Sequence, residues 1–143
     1  MRAQFGVLLA SLAGLGISAY LTVVHYSTIP LACPTDAVLS CEQVLSSRYA
    51  VIAGSGLRTS AAGIVWFAIS AGLAIGVSRY PRPQLGRIQL AWSAIGLATV
   101  IYLLFVEIVR LGALCLWCTA AHVLVFVIFL IALSRPDRGR VRM

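Results

Sequence analysis

The chain has 143 residues, of which 61% are hydrophobic and only 10% charged, against about 25% charged in a soluble domain. That balance excludes an ordinary water-soluble fold and predicts one membrane domain without room for a second folded unit. All eleven basic residues are arginine and the net charge is +7, but the arginines sit at the ends of apolar runs, a topogenic pattern that argues against nucleic-acid binding.

The first apolar run, at about 5–26, is long enough to cross the roughly 30 Å of bilayer hydrocarbon. Met1-Arg2 ahead of it also fits a signal peptide, but the run is longer than an ordinary signal core and has one basic residue before it, so a retained span is expected. The following connection, 27–60, carries Cys33 and Cys41. Pro30 and Pro34 flank Cys33 and keep that stretch extended. Around Cys41, Val44 and Leu45, then Val51 and Ile52, give one apolar side. This reads as a short amphipathic helix lying on the membrane, which would bring Cys41 over Cys115.

The second span is expected at about 61–78, with Gly72 and Gly76 forming a GxxxG step that permits close helix approach. The short basic turn from Ser78 to Gln84 leads into a third span at about 88–108. A very short connection then precedes the fourth span, about 111–134, which opens with Cys115-Leu116-Trp117-Cys118. In lipid only helices and closed barrels satisfy their own backbone, and no run alternates over about ten residues as a barrel strand would. The fold class is therefore all-α, an integral membrane four-helix bundle whose short connections make neighbours antiparallel.

Arg2, Arg79, Arg82, Arg87, Arg135, Arg138, Arg140 and Arg142 fall on one side of this topology and Arg48, Arg58 and Arg110 on the other. The richer side is cytoplasmic, so both termini are expected there. All four cysteines are then extracytoplasmic, where disulfides persist. Cys115-x-x-Cys118 lies at a helix start, whose partial positive charge favours a reactive thiolate. Static disulfides, a four-cysteine zinc site and small apolar filler are the other readings. The spacing of the loop cysteines and the membrane location of the CxxC fit zinc poorly, so no metal is expected. Haem attachment fails because Thr119 follows Cys118 where His is needed. Cys115, Cys118 and His122 form one helical stripe. His122 there could donate to a bound oxygen, relay protons or bridge two helices. Phe67, Tyr102, Phe105 and Trp117 could line an aromatic pocket or face lipid as interface anchors. Glu107 and Arg110 are spaced to pair on one helix face, and His25 is placed to meet headgroups.

Across nearly its whole length the chain resembles the vitamin K epoxide reductase family. The resemblance rests on the Cys33-x7-Cys41 outer loop, on Cys41-Glu-Gln-Val-Leu-Ser-Ser47 and on Cys115-x-x-Cys118 in the last of four spans. The disulfide bond protein B type carries its CxxC in the first outer loop instead. The resemblance implies that Cys33 and Cys41 are a shuttle pair exchanging with a thioredoxin-like partner, and that Cys41 passes electrons to Cys115. It also implies that the Cys118 thiolate faces a quinone of the menaquinone or ubiquinone class, with Ser47 near the active site. Two departures bear on the quinone pocket: Thr59-Ser60 stands where many members carry Asn, and His122 where the animal enzymes carry Tyr. Ser47, Thr59, Ser60, Phe67, Tyr102, Trp117 and His122 are the expected pocket residues. Some bacterial members fuse a thioredoxin-like domain; here a separate oxidase of the disulfide bond protein A type is expected. The implied activity is quinone-dependent thiol oxidation driving disulfide formation in exported proteins, in a bacterial plasma membrane. The alternatives are reduction of vitamin K quinone or epoxide, and a non-catalytic membrane subunit whose cysteines staple the loop.

Overall fold

A computed structural model describes residues 2–27, 29–30, 32–33, 39–52 and 55–135. Four long helices are each apolar and long enough to cross a membrane: α1 (Arg2–Tyr26), α3 (Thr59–Arg79), α4 (Pro83–Phe105, continued by a π-helical turn, Val106–Leu111) and α5 (Leu116–Leu133). A six-residue helix, α2 (Cys41–Ser46), and a 3-10 turn (Arg48–Ala50) lie between α1 and α3. The connection expected at 27–60 is therefore not one continuous loop. Pro34, Arg138, Arg140 and Arg142, on which part of the sequence reading leans, lie outside the described residues.

Local chemistry sets the helix ends. Tyr80 precedes Pro81, a position that disfavours the helical basin, and α3 stops there with Tyr80 outside that basin at φ −126° and ψ 86°. Pro83 then opens α4 at its first turn, where a missing N–H costs nothing. After the π turn the backbone reverses at Gly112, whose φ of +60° is a left-handed conformation that glycine adopts without strain. That reversal corrects the expected start of the last span: residues 112–115 are not helical, and α5 begins at Leu116 with Cys115 as its N-cap.

The four long helices close into a ring in which α1 packs on α3 and α5, and α4 packs on the same two. Val7, Ala10, Phe67, Ala74, Val100, Val125 and Ile128 form the core between them. Ser11, Ser18, Ser70 and Ser93 are buried, while Phe5, Leu12, Val65, Ile95 and Ile101 are exposed. This inversion suits lipid, where apolar residues gain nothing by hiding from the solvent and small or polar ones bring helices together. The tight approaches do not use the Gly72–Gly76 step, which has no neighbour against it among the described residues. They occur instead where the Phe67 ring covers Gly14 and the Trp66 indole covers Gly96.

At one end of the bundle Gln4 and Gln89 exchange amide hydrogen bonds at 3.3 and 3.1 Å, and Arg135 Nη1 donates to Gln89 Oε1 at 3.0 Å. Turned over, the Gln4 amide oxygen accepts from Arg135 Nη1 at 2.8 Å. Either way this clasp gathers the start of α1, the start of α4 and the end of α5. All four cysteines lie at the opposite end.

Candidate active site

The cysteine end is assembled by α2. Ser40 caps that helix, its Oγ accepting from the Gln43 amide at 3.4 Å. The Ser40 amide donates to the Leu114 carbonyl at 3.1 Å, and Gln43 Nε2 donates to the Leu111 carbonyl at 3.2 Å. These bonds dock α2 onto the Gly112–Cys115 turn. Consequently Cys41, Val44, Ala113 and Cys115 form one buried cluster, with Cys41 1% and Cys115 0% exposed. Cys33 and Cys118 pack against that cluster from its margins.

Two disulfides are present, Cys33–Cys41 with Cα atoms 6.3 Å apart and Cys115–Cys118 with Cα atoms 5.1 Å apart. Each joins one buried sulfur to one at the margin. Cys115 Sγ accepts from the Cys118 amide at 3.2 Å, so a fixed N–H dipole points at the sulfur of the second pair that lies in the buried cluster with Cys41. Glu107 holds the turn from below. Its carbonyl accepts from the Gly112 and Ala113 amides, and its Oε2 accepts from the Cys115 amide at 3.4 Å. The expected pairing with Arg110 is not formed: Glu107 is buried at 4% exposure, whereas Arg110 is exposed.

Beneath this layer lies a cavity of about 290 Å³ between the upper halves of the four long helices, close to the lower size limit of small-molecule sites. Its wall includes Cys118 but not Cys115. Of the residues expected around a bound ring, Ser47, Thr59, Ser60, Phe67 and His122 line it. The Ser47 hydroxyl donates to the Val44 carbonyl at 2.8 Å, and the Thr59 hydroxyl donates to the Tyr49 carbonyl at 3.4 Å. The Thr59 hydroxyl thus ties the start of α3 to the 3-10 turn, while the Ser47 hydroxyl closes the end of α2. His122 is 9% exposed and its Nδ1 is buried without a hydrogen-bond partner in the described structure.

Tyr102 and Trp117 are placed elsewhere. Tyr102 is exposed on the outer face of α4, one helical stripe away from Gly96, Thr99, Val100 and Leu103, which do line the cavity. The Trp117 indole N–H donates to the Ala32 carbonyl at 2.9 Å, and the ring packs 5.1 Å from Tyr20, whose hydroxyl accepts from the Ala32 amide at 3.4 Å. This grip fixes the residue next to Cys33, so Trp117 positions the first cysteine pair rather than the cavity.

Sequence reasoning missed Trp66. Its indole stacks on Trp92 with centroids 6.2 Å apart and meets Phe67 edge-on at 5.1 Å, while its Nε1 is buried without a partner. A buried indole N–H normally finds an acceptor; this one has none among the described residues, and Trp66 lines the cavity. The apolar wall and the two orphaned nitrogens of Trp66 and His122 suit a flat apolar ring bearing carbonyl oxygens, which fits a quinone. Glu107 also lines the cavity; a carboxyl inside an apolar run is its sequence signal, since such groups are costly in membranes and mark function.

The matching family model adds to this geometry: the model described as the Vitamin K epoxide reductase family covers residues 6–133, so the chain belongs to that family and is a membrane oxidoreductase.

Proposed function

We propose that the protein is a quinone-dependent thiol oxidase that reoxidises a separate thioredoxin-like partner and so drives disulfide formation in exported proteins. One observation carries the reading: Cys41 and Cys115 share a buried cluster, while Cys118 alone of the second pair reaches the cavity. The two disulfides therefore stand in series between an exposed segment and an apolar chamber.

In the first step a partner thiolate attacks the Cys33–Cys41 bond, forms a mixed disulfide at Cys33 and releases Cys41 as a thiolate. Resolution by the partner's second thiol frees both loop cysteines. Cys41 then attacks Cys115, the Cys41–Cys115 bond forms, and Cys118 leaves as a thiolate at the cavity wall and takes up the proton that Cys41 gave up. Cys33 closes on Cys41, which restores the first disulfide and leaves Cys115 and Cys118 reduced. Re-forming the Cys115–Cys118 bond gives up two electrons and two protons, and a bound quinone supplies the acceptor chemistry by becoming a quinol. Ser47, Thr59, Trp66 and His122 shape and orient the site. The arginine distribution supports a cytoplasmic location for both termini and an extracytoplasmic one for the cysteines.

Thiol trapping tests the proposal. Reduced protein is mixed with a soluble quinone analogue and quenched with an alkylating reagent at intervals. Both disulfides are expected to return only when quinone is present, and Cys118→Ala should abolish that return while inserting normally in the membrane. Reoxidation at the same rate without quinone, or normal turnover in Cys118→Ala, would defeat it.

A further inference from the structure

We propose that Glu107 is the proton-carrying group of the thiol-to-quinone step, taking the Cys118 proton as the carboxylate and handing it to the reduced ring oxygen. This inference rests on the quinone reading above. The chemistry demands such a group. Two thiols lose two electrons and two protons when their disulfide forms, and both protons must cross an apolar chamber with few titratable side chains. Glu107 is buried, shares the cavity wall with Cys118, and its Oε2 accepts from the Cys115 amide. It is therefore held by backbone bonds within the layer that contains both sulfurs. A lone carboxyl placed only to brace a turn would be an expensive choice at membrane depth, since an amide braces as well.

The other charged or titratable groups around it are defined. His122 from α5, His25 from α1, Arg58 at the start of α3 and Tyr49 from the 3-10 turn line the same cavity, while Cys41 faces the turn from α2. Glu42 on α2 and Arg110 on the π turn are exposed. The balance closes as follows: the Cys118 proton moves to Glu107, the electron pair leaves with formation of the Cys115–Cys118 bond, and Glu107 returns to the carboxylate on protonating the acceptor. The second proton, from the Cys115 thiol, goes to the other ring oxygen.

The test contrasts Glu107→Gln, which keeps a hydrogen-bond acceptor for Cys115 but cannot carry a proton, with Glu107→Asp, which keeps the acid but shortens its reach. Infrared difference spectra are recorded between oxidised and chemically reduced full-length protein, without quinone. A carboxyl C=O band is expected in wild type and in Glu107→Asp and absent in Glu107→Gln. Quinone-driven reoxidation in single turnover should slow at least about tenfold in Glu107→Gln and lose its pH dependence, with Glu107→Asp less affected. A band that persists in Glu107→Gln, or a Glu107→Gln protein with wild-type rate and pH profile alongside an impaired Glu107→Asp, would reduce Glu107 to a brace and overturn the inference. Because the spectra need no quinone, loss of the carboxyl signal and loss of quinone dependence are read separately.

Discussion

The two ends of the bundle treat buried polar groups in opposite ways. At the clasp end, Gln4, Gln89 and Arg135 satisfy one another across three helices. At the cysteine end, His122 and Trp66 line the cavity, and a buried ring nitrogen of each has no partner among the described residues. Leaving a buried donor or acceptor unpaired costs about 1–3 kcal/mol; the Ser11 hydroxyl is a third such group and does not line the cavity, whereas His122 and Trp66 do. The clasp ties three helices together; on the proposed reading, the unpaired groups at the cysteine end serve a bound quinone. The comparison predicts that substitutions at the first end cost stability and leave chemistry intact, and that those at the second do the reverse.

The largest effect expected on chemistry is at Cys118. Cys118→Ala should reduce quinone-linked reoxidation to background, measured by alkylation trapping, because no other sulfur of the second pair lines the cavity. Partner exchange at Cys33–Cys41 should survive in that variant, which a shared-site model would not allow.

At the clasp, Gln89→Leu leaves Gln4 and Arg135 facing an apolar side chain and should destabilise the protein by about 1–3 kcal/mol, seen as earlier thermal unfolding in detergent. Its reoxidation rate per folded molecule should stay within about twofold of wild type. A slower rate at unchanged stability would break the division between the two ends.

The converse variants are His122→Leu and Trp66→Phe. Each removes an orphaned polar atom, so neither should lower the unfolding temperature for want of a hydrogen bond. Each should raise the quinone concentration needed for half-maximal rate by roughly tenfold, about 1.4 kcal/mol of lost binding. If both instead destabilise without touching quinone affinity, these nitrogens serve the fold.

Gly112→Ala tests the joint between the pairs. Alanine at φ +60° should cost more than about 1 kcal/mol, and the strained turn should slow transfer from Cys41 to Cys115 more than partner exchange at Cys33. The smallest effect is expected at Tyr102→Ala, where both stability and quinone dependence should remain near wild type because the ring faces outward.

Much of this was legible in one dimension. Four long apolar helices were legible, because about twenty apolar residues in a row admit few other fates in lipid. The Cys41 segment showed its helix through Val44 and Leu45. The start of α5 was misplaced because Leu111, Ala113 and Leu114 are as apolar as the span itself, and only the left-handed turn at Gly112 reveals the break. Tyr102 and Trp117 were drawn toward the cavity by composition alone. Helical phase moves Tyr102 to the outer face of α4, and the bond to Ala32 takes Trp117 to the Cys33 segment. Trp66 gave no signal, since an indole in a span reads equally as a lipid anchor.

Hydropathy and spacing alone determine that this chain crosses a membrane four times and carries a loop cysteine pair and a CxxC, because a helix must span the hydrocarbon whatever its neighbours do. Which sulfurs meet, which one opens onto the cavity and which buried atoms lack a partner were decided by the docking of α2 on the Gly112 turn and by the ring order of the helices. Those are distances between residues far apart in the chain, and a linear pattern of apolar and polar residues does not encode them.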